Sequence, residues 1–197
     1  RSLVGSEMCI RDSGTRMRPL TDNTPKPLIK AAEKPLIETV IDGLWQHGVR
    51  EIYVVTGYLA EQFDYLAEKY PGLILVNNEE YTVKNNISSI HAVCQYMGKT
   101  DCFICEADLY VSDPAIFDIP HDKSCYYGKY VAGHSDDWVF DMDGERIVRV
   151  GKGGDDTYNM VGISYFKADD AAYIADAILK AYKEPGHETC LLYTSDA

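Results

Sequence analysis

Three short apolar runs recur between stretches of helical period, and this alternation narrows the chain to an α/β fold. The runs are Ile52-Tyr53-Val54-Val55-Thr56, Leu73-Ile74-Leu75-Val76 and Cys102 to Glu106. Each is too short for a buried helix and rich in β-branched or aromatic residues. Between them, Leu36, Ile37, Val40, Ile41 and Leu44 share one face of a helix from Pro35 to His47, with Pro35 suited to its first turn and Gly48 ending it. After Gly57 a second helix carries Leu59, Phe63 and Leu66 as its buried stripe and stops at Pro71-Gly72, so that 73–76 reads as a buried strand. A third begins near Asn86 with Ile87, Ile90, Val93, Cys94 and Met97 at helical spacing. Strands linked by helices pair in parallel, and such sheets bind ligands at the carboxyl ends of their strands.

Past Asp113-Pro114 the pattern changes to short aromatic and β-branched runs: Cys125 to Val131, Trp138 to Met142, Ile147 to Val150 and Val161 to Phe166. Asp143-Gly144 reads as a hairpin turn between two of them. This is an antiparallel insertion on the parallel core. A last helix, Asp169 to Lys183, is expected to bury Ala172, Ile174, Ile178 and Tyr182 in part.

With 197 residues and 46% hydrophobic content, the chain can build one sizeable core. Its formal charge of −12 argues against nucleic acid as a partner, so an anionic ligand must be bound by a local cluster of cations. No apolar run is long enough to span a membrane. Cys102 and Cys105 are three apart in a strand and point to opposite faces, and no second CxxC or zinc-spaced His accompanies them. They read as buried free thiols, which suit a cytoplasmic compartment. The five histidines form no catalytic or metal pattern.

The cationic cluster is present at Gly14-Thr15-Arg16-Met17-Arg18-Pro19-Leu20, followed by Pro25-Lys26-Pro27-Leu28-Ile29. A glycine-turned loop with two guanidiniums, then a lysine held between prolines, is chemistry for polyphosphate: backbone N–H groups, a planar fork and a point charge. The run resembles the signature of the nucleoside-triphosphate transferases, the sugar-nucleotide pyrophosphorylases and their relatives, with Gly14, Arg16 and Lys26 at matching places. The resemblance implies a Rossmann-like, mostly parallel sheet with helices on both faces, of the nucleotide-diphospho-sugar transferase type. It also implies a strand ending in L-A-A-G before the loop, where this chain reads Glu7-Met8-Cys9-Ile10-Arg11-Asp12. SLVGSEMCIRDS shows neither strand alternation nor helical period, and together with the closing CLLYTSDA it resembles translated sequencing-adapter read-through. The expectation is a nucleotidyltransferase domain over 14–189, flanked by non-native segments at 1–13 and 190–197, with the first strand replaced and the C-terminus truncated.

Glu106-Ala107-Asp108 ends the apolar strand, where a carboxylate faces the ligand crevice and suits Mg²⁺ bridging phosphates. Asp108 is the better metal ligand. In family terms it resembles the aspartate that holds the catalytic magnesium. Three further features are similar to the bacterial CTP:phosphocholine cytidylyltransferases: the Thr56 to Leu66 segment, the Asn85-Asn86-Ile87-Ser88-Ser89 corner and the Trp138 strand. That resemblance implies nucleotide contacts from Gly14, Thr15, Arg16, Asn86 and Ser89, and a choline wall from Trp138 with Asp137 and Asp136 nearby. A quaternary ammonium offers no N–H, so aromatic faces and acids must recognise it.

The activity so implied is Mg²⁺-dependent transfer of CMP from CTP to phosphocholine, giving CDP-choline and pyrophosphate, with Arg16, Lys26 and Asp108 catalytic. A cytidylyltransferase for 2-aminoethylphosphonate or a sugar-1-phosphate nucleotidyltransferase is the alternative acceptor reading. A nucleotide-binding or inert fragment is the alternative of a different class. The resemblance also implies a later acidic stretch that supplies a second metal ligand; because His187-Glu188-Thr189 runs straight into CLLYTSDA, the expectation is that Asp108 lacks that acidic partner.

Overall fold

The computed structural model of the chain describes residues 2–7, 17–84, 87–118 and 122–186. Eight strands are present among them: β1 Ser2–Glu7, β2 Lys30–Ala31, β3 Lys34–Pro35, β4 Glu51–Thr56, β5 Leu73–Asn77, β6 Cys102–Glu106, β7 Cys125–Asp143 and β8 Arg146–Phe166. The α-helices are α1 Leu36–Gln46, α2 Asp64–Lys69, α3 Ile87–Val93 and α4 Ala168–Ala181. Six strands form one sheet in the order β5-β4-β1-β6-β8-β7, while β2 and β3 make a separate small ladder. The first four strands of that order run parallel, and β8 joins β6 antiparallel.

Strand alternation sorts the core into two layers. Along β4, Ile52 and Val54 face one layer and Tyr53 and Val55 the other; along β6, Phe103 and Cys105 oppose Cys102 and Ile104. The first layer is covered by α1 through Ile37, Val40, Ile41 and Leu44, all at most 1% exposed, and by Phe63 and Leu66. Each such side chain contributes about 1.5–3 kcal/mol by leaving water. The second layer is covered by Ile87, Ile90 and Val93 of α3 and by Ala171, Ala175 and Ile178 of α4. The two cysteines therefore lie on opposite faces, as their spacing requires. Burial pushes the Cys102 thiol up to about 12 and Cys105 higher still, so neither is a nucleophile at neutral pH.

Several expectations need correction. The opening segment, read as showing no strand alternation, forms β1 at the centre of the sheet, parallel to β4 and β6, with a register irregularity between Leu3 and Ser6. Its run, Ser2 to Glu7, is neither the continuous apolar pattern usual for a central parallel strand nor an alternating one, so the residues gave no strand signal. The strand at 73–76 is an edge strand, with Ile74 42% exposed. The helix after Gly57 is a 3₁₀ turn, Ala60–Phe63, leading into α2, and Leu59 precedes it in the left-handed region. In α4 the buried stripe is Ala171, Ala175 and Ile178, whereas Ala172 is exposed.

The antiparallel part is also larger than expected, because its four runs merge into two long strands. Val139 and Phe140 of β7 pair with Gly151 and Val150 across the hairpin and with Asn159 and Tyr158 farther along β8. The ladder passes through register shifts where Gly133 and Gly153 adopt φ of +80° and +75°, so breaks that read as strand ends are bulges. The turn itself falls at Gly144-Glu145, with Gly144 at φ +61°.

Candidate active site

The loop from Met17 to Pro25 leads into a 3₁₀ turn, Lys26–Leu28. Leu28 N–H donates to Pro25 O at 2.8 Å and Ile29 N–H to Lys26 O at 3.1 Å. Pro27 is buried and Leu28 packs on the first core layer, so the two prolines and the anchored leucine fix where Lys26 emerges. Lys26 Nζ meets Asp108 Oδ2 at 2.5 Å, with both side chains 27% exposed. The sequence placed these residues 82 positions apart in two separate motifs, and the fold brings them together at the carboxyl end of β6.

Asp108 is held from behind. Ala107 is buried, and the segment after the aspartate is tied to α1 through Thr39, whose Oγ1 donates to Leu36 O at 2.7 Å and accepts from Val111 N–H at 2.9 Å. Glu106 lies against Gly162 of β8. A Cβ built on that glycine would come within 2.6 Å of the Glu106 Oε2, and the glycine's φ of +73° itself disfavours a side chain.

The cationic loop is clamped by the segment after β4. Tyr58 Oη donates to Asp22 O at 3.1 Å and Gln62 Nε2 to Asn23 O at 3.0 Å. Arg18 Nε pairs with Asp22 Oδ1 at 3.2 Å, on the outer side of the loop. Sequence reasoning singled out Thr56 to Leu66 for its resemblance but missed what Tyr58 and Gln62 hold. Gly14, Thr15, Arg16 and Asn86, named as nucleotide contacts, lie outside the described residues.

At the start of α3, Ser89 is buried at 4% exposure. Asn78, just past β5, directs its Nδ2 to Ser88 Oγ at 2.9 Å and Ser89 Oγ at 3.4 Å, and accepts from Glu80 N–H at 3.0 Å. Ser89 is therefore built into the corner that presents the α3 N-terminus. A second brace closes the 80–84 turn. Tyr182 Oη donates to Glu80, the Lys84 ammonium sits 4.0 Å above the Tyr182 ring, and His91 stacks on that ring at 3.6 Å. Burial, reinforced by the Glu80 carboxylate, pushes the Tyr182 phenol up to about 12.

Trp138 and Asp137 stand on the hairpin, and the structure sends the two neighbours to different partners. Trp138 is half-buried, with Lys152 Nζ 5.9 Å from its ring centroid. Asp137 is exposed and faces Asn159 Nδ2 at 3.4 Å. Asp136 accepts from His134 at 3.2 Å. The hairpin lies past the carboxyl end of β6: Cys105 pairs with Ile163 of β8, and Val139 pairs with Asn159, four residues or about 13 Å farther along.

Among the described residues no three His, Cys, Asp or Glu side chains gather into a metal cage. Mg²⁺ commonly takes one or two carboxylates and completes its shell with substrate phosphates, and Asp108 is an accessible carboxylate of that kind. No helix among them is long and apolar enough to cross a membrane. The geometry thus brings a lysine and a carboxylate together at the end of β6, beside a loop held by Tyr58 and Gln62.

Residues 12–122, more than half the chain, match the MobA-like NTP transferase domain family. The chain is 56% identical over 176 residues to a 2-aminoethylphosphonate cytidylyltransferase of Lancefieldella rimae, covering 89% of this chain and 72% of that one. It is 36% identical over 173 residues to a choline-phosphate cytidylyltransferase of Streptococcus pneumoniae, covering 86% and 72%. The solved structure of the CTP:phosphocholine cytidylyltransferase from Streptococcus pneumoniae superposes with a TM-score of 0.79 at 32% identity, over 92% of this chain and 77% of that one. With a matching family domain, relatives well above 30% identity and a shared fold, the chain belongs to the NTP transferase family and is one of its cytidylyltransferases.

Proposed function

We propose that this protein transfers CMP from CTP to 2-aminoethylphosphonate, releasing pyrophosphate. The observation that carries the acceptor is the 56% identity to an enzyme of that activity against 36% to one for choline phosphate, over nearly the same span. Phosphocholine, the acceptor anticipated from the sequence, is the second reading, and Trp138 is what favours it.

In the reaction a phosphonate oxygen forms a bond to the α-phosphorus of CTP. The bond from that phosphorus to the bridging oxygen breaks, and pyrophosphate leaves with the electron pair. No covalent enzyme intermediate is required. Lys26 stabilises charge growing on the phosphate oxygens, and Arg16 is assigned the same task. Asp108 would hold the Mg²⁺, which neutralises and orients the phosphates when bound. The clamp from Tyr58 and Gln62 keeps the cationic loop fixed, so little reorganisation opposes the displacement. Asn86 would meet the nucleotide at the α3 N-terminus, with Ser89 keeping that corner in place.

Paired kinetics test the acceptor. With CTP saturating, kcat/KM for 2-aminoethylphosphonate should exceed that for phosphocholine at least tenfold, and the reverse order would establish the second reading instead.

A further inference from the structure

Resting on the acceptor assignment above, we infer that Asn159 selects the acceptor by receiving a hydrogen bond from its primary ammonium. Asn159 lies within β8, opposite Lys129 on one side and Val139 on the other. Its Nδ2 donates to Ser135 Oγ at 2.8 Å and faces Asp137 Oδ2 at 3.4 Å. The Asp137 carboxylate fixes the amide's orientation, since the flipped rotamer would set oxygen against oxygen. The Asn159 Oδ1 is then left buried without a partner, the one such side-chain atom among the described residues.

A buried acceptor left unmatched is costly, and its position says what could match it. Gly162, three residues farther along β8, lies against Glu106, and Asp108 continues from Glu106 out of the sheet. Asn159 and Asp108 thus both lie past the carboxyl end of β6. An acceptor with its phosphonate at the Lys26–Asp108 pair extends its amine from that end of the sheet. There the Asn159 Oδ1 and the Asp137 carboxylate supply a neutral and a charged acceptor. A primary ammonium has three N–H donors to satisfy both; a trimethylammonium has none and would leave Oδ1 unmatched. The aromatic alternative is partly taken, because Lys152 already lies over the Trp138 ring.

The test compares 2-aminoethylphosphonate with its N,N,N-trimethyl derivative, using the full chain unsubstituted, as Asn159→Leu and as Asn159→Asp. The unsubstituted protein should prefer the primary amine. Asn159→Leu should reduce that preference ten- to a hundredfold through loss with the primary amine alone, with the KM for CTP within twofold. Asn159→Asp, which keeps acceptor oxygens at the same reach, should retain the preference. An unchanged preference in Asn159→Leu, or an equal loss with both acceptors, overturns the role of Asn159 and leaves the 2-aminoethylphosphonate reading standing. A preference for the trimethyl compound in the unsubstituted protein, or turnover of neither, overturns both.

Discussion

Lys26 Nζ lies 2.5 Å from Asp108 Oδ2, so the two groups best suited to a triphosphate and its metal neutralise each other across the mouth of the site. On the proposed function, each holds the place its ligand would take. Loading would then exchange one ion pair for two contacts, lysine to phosphate and carboxylate to metal. This links the affinities for nucleotide and metal, because each ligand removes the other's competitor.

Removing either charge should show that linkage. Asp108→Asn is expected to lower kcat about 10²- to 10³-fold, in the range for loss of a group that stabilises transition-state charge. Lys26→Met should lower CTP affinity and also raise the affinity for Mn²⁺ measured without nucleotide. Calorimetry in which Lys26→Met binds Mn²⁺ no more tightly than the unsubstituted protein contradicts the exchange.

The loop clamp acts on binding more than on stability. Tyr58→Phe and Gln62→Ala each delete one hydrogen bond to a loop carbonyl, worth about 1 kcal/mol. The KM for CTP should rise roughly three- to tenfold in each, with kcat reduced less and the melting temperature lowered by no more than about 4 °C. Equal KM values in variant and parent would show that the loop is positioned by other contacts.

Gly162→Ala should injure the site from the sheet side. The added Cβ meets Glu106 at 2.6 Å and occupies a backbone conformation that only glycine adopts freely. A destabilisation of about 1–3 kcal/mol in urea unfolding is expected, with turnover falling further than that loss explains because Glu106 and Asp108 share the displaced segment. A variant as stable and active as the parent contradicts the close approach.

Asp101 supplies a pH signature away from the site. The Lys167 ammonium and the Tyr165 hydroxyl, with the Ala168 N–H at the start of α4, hold its carboxyl down to about 2. A carboxylate with a depressed folded pKa stabilises above its unfolded value near 3.8, and that contribution is lost as pH falls towards 2. Asp101→Asn should cost on the order of 1–2 kcal/mol at pH 7 and almost nothing near pH 2, after allowing for solvent screening. A pH-independent difference would assign its effect to packing.

What the sequence disclosed follows physical lines. Lys26 and Asp108, which the fold brings together, stood out in the sequence because each sits in a short motif whose chemistry is local: a proline-bracketed cation and an acid ending an apolar strand. The parallel core was legible from β-branched runs alternating with helical periods. Tyr58, Gln62 and Thr39 were not, since their partners are backbone atoms of distant segments and no residue pattern encodes a carbonyl's position. β1 escaped because Ser2 to Glu7 follows neither the continuous apolar run of a central parallel strand nor the alternation of a half-buried one. Ala171 and Ala172 were exchanged because adjacent alanines leave the phase of a helix stripe undetermined by one residue. Asn159 carried no signal, being one amide in a strand whose meaning depends on Ser135 and Asp137 across the bulge.

Phosphorus NMR of the protein with CTP, Mg²⁺ and 2-aminoethylphosphonate tests the central claim most directly. Resonances of pyrophosphate and of a phosphonate linked to CMP should appear together and in equal amounts with the unsubstituted chain, and at least a hundredfold more slowly with Asp108→Asn. CTP left unchanged by the unsubstituted chain, or equal rates for the two proteins, would contradict it.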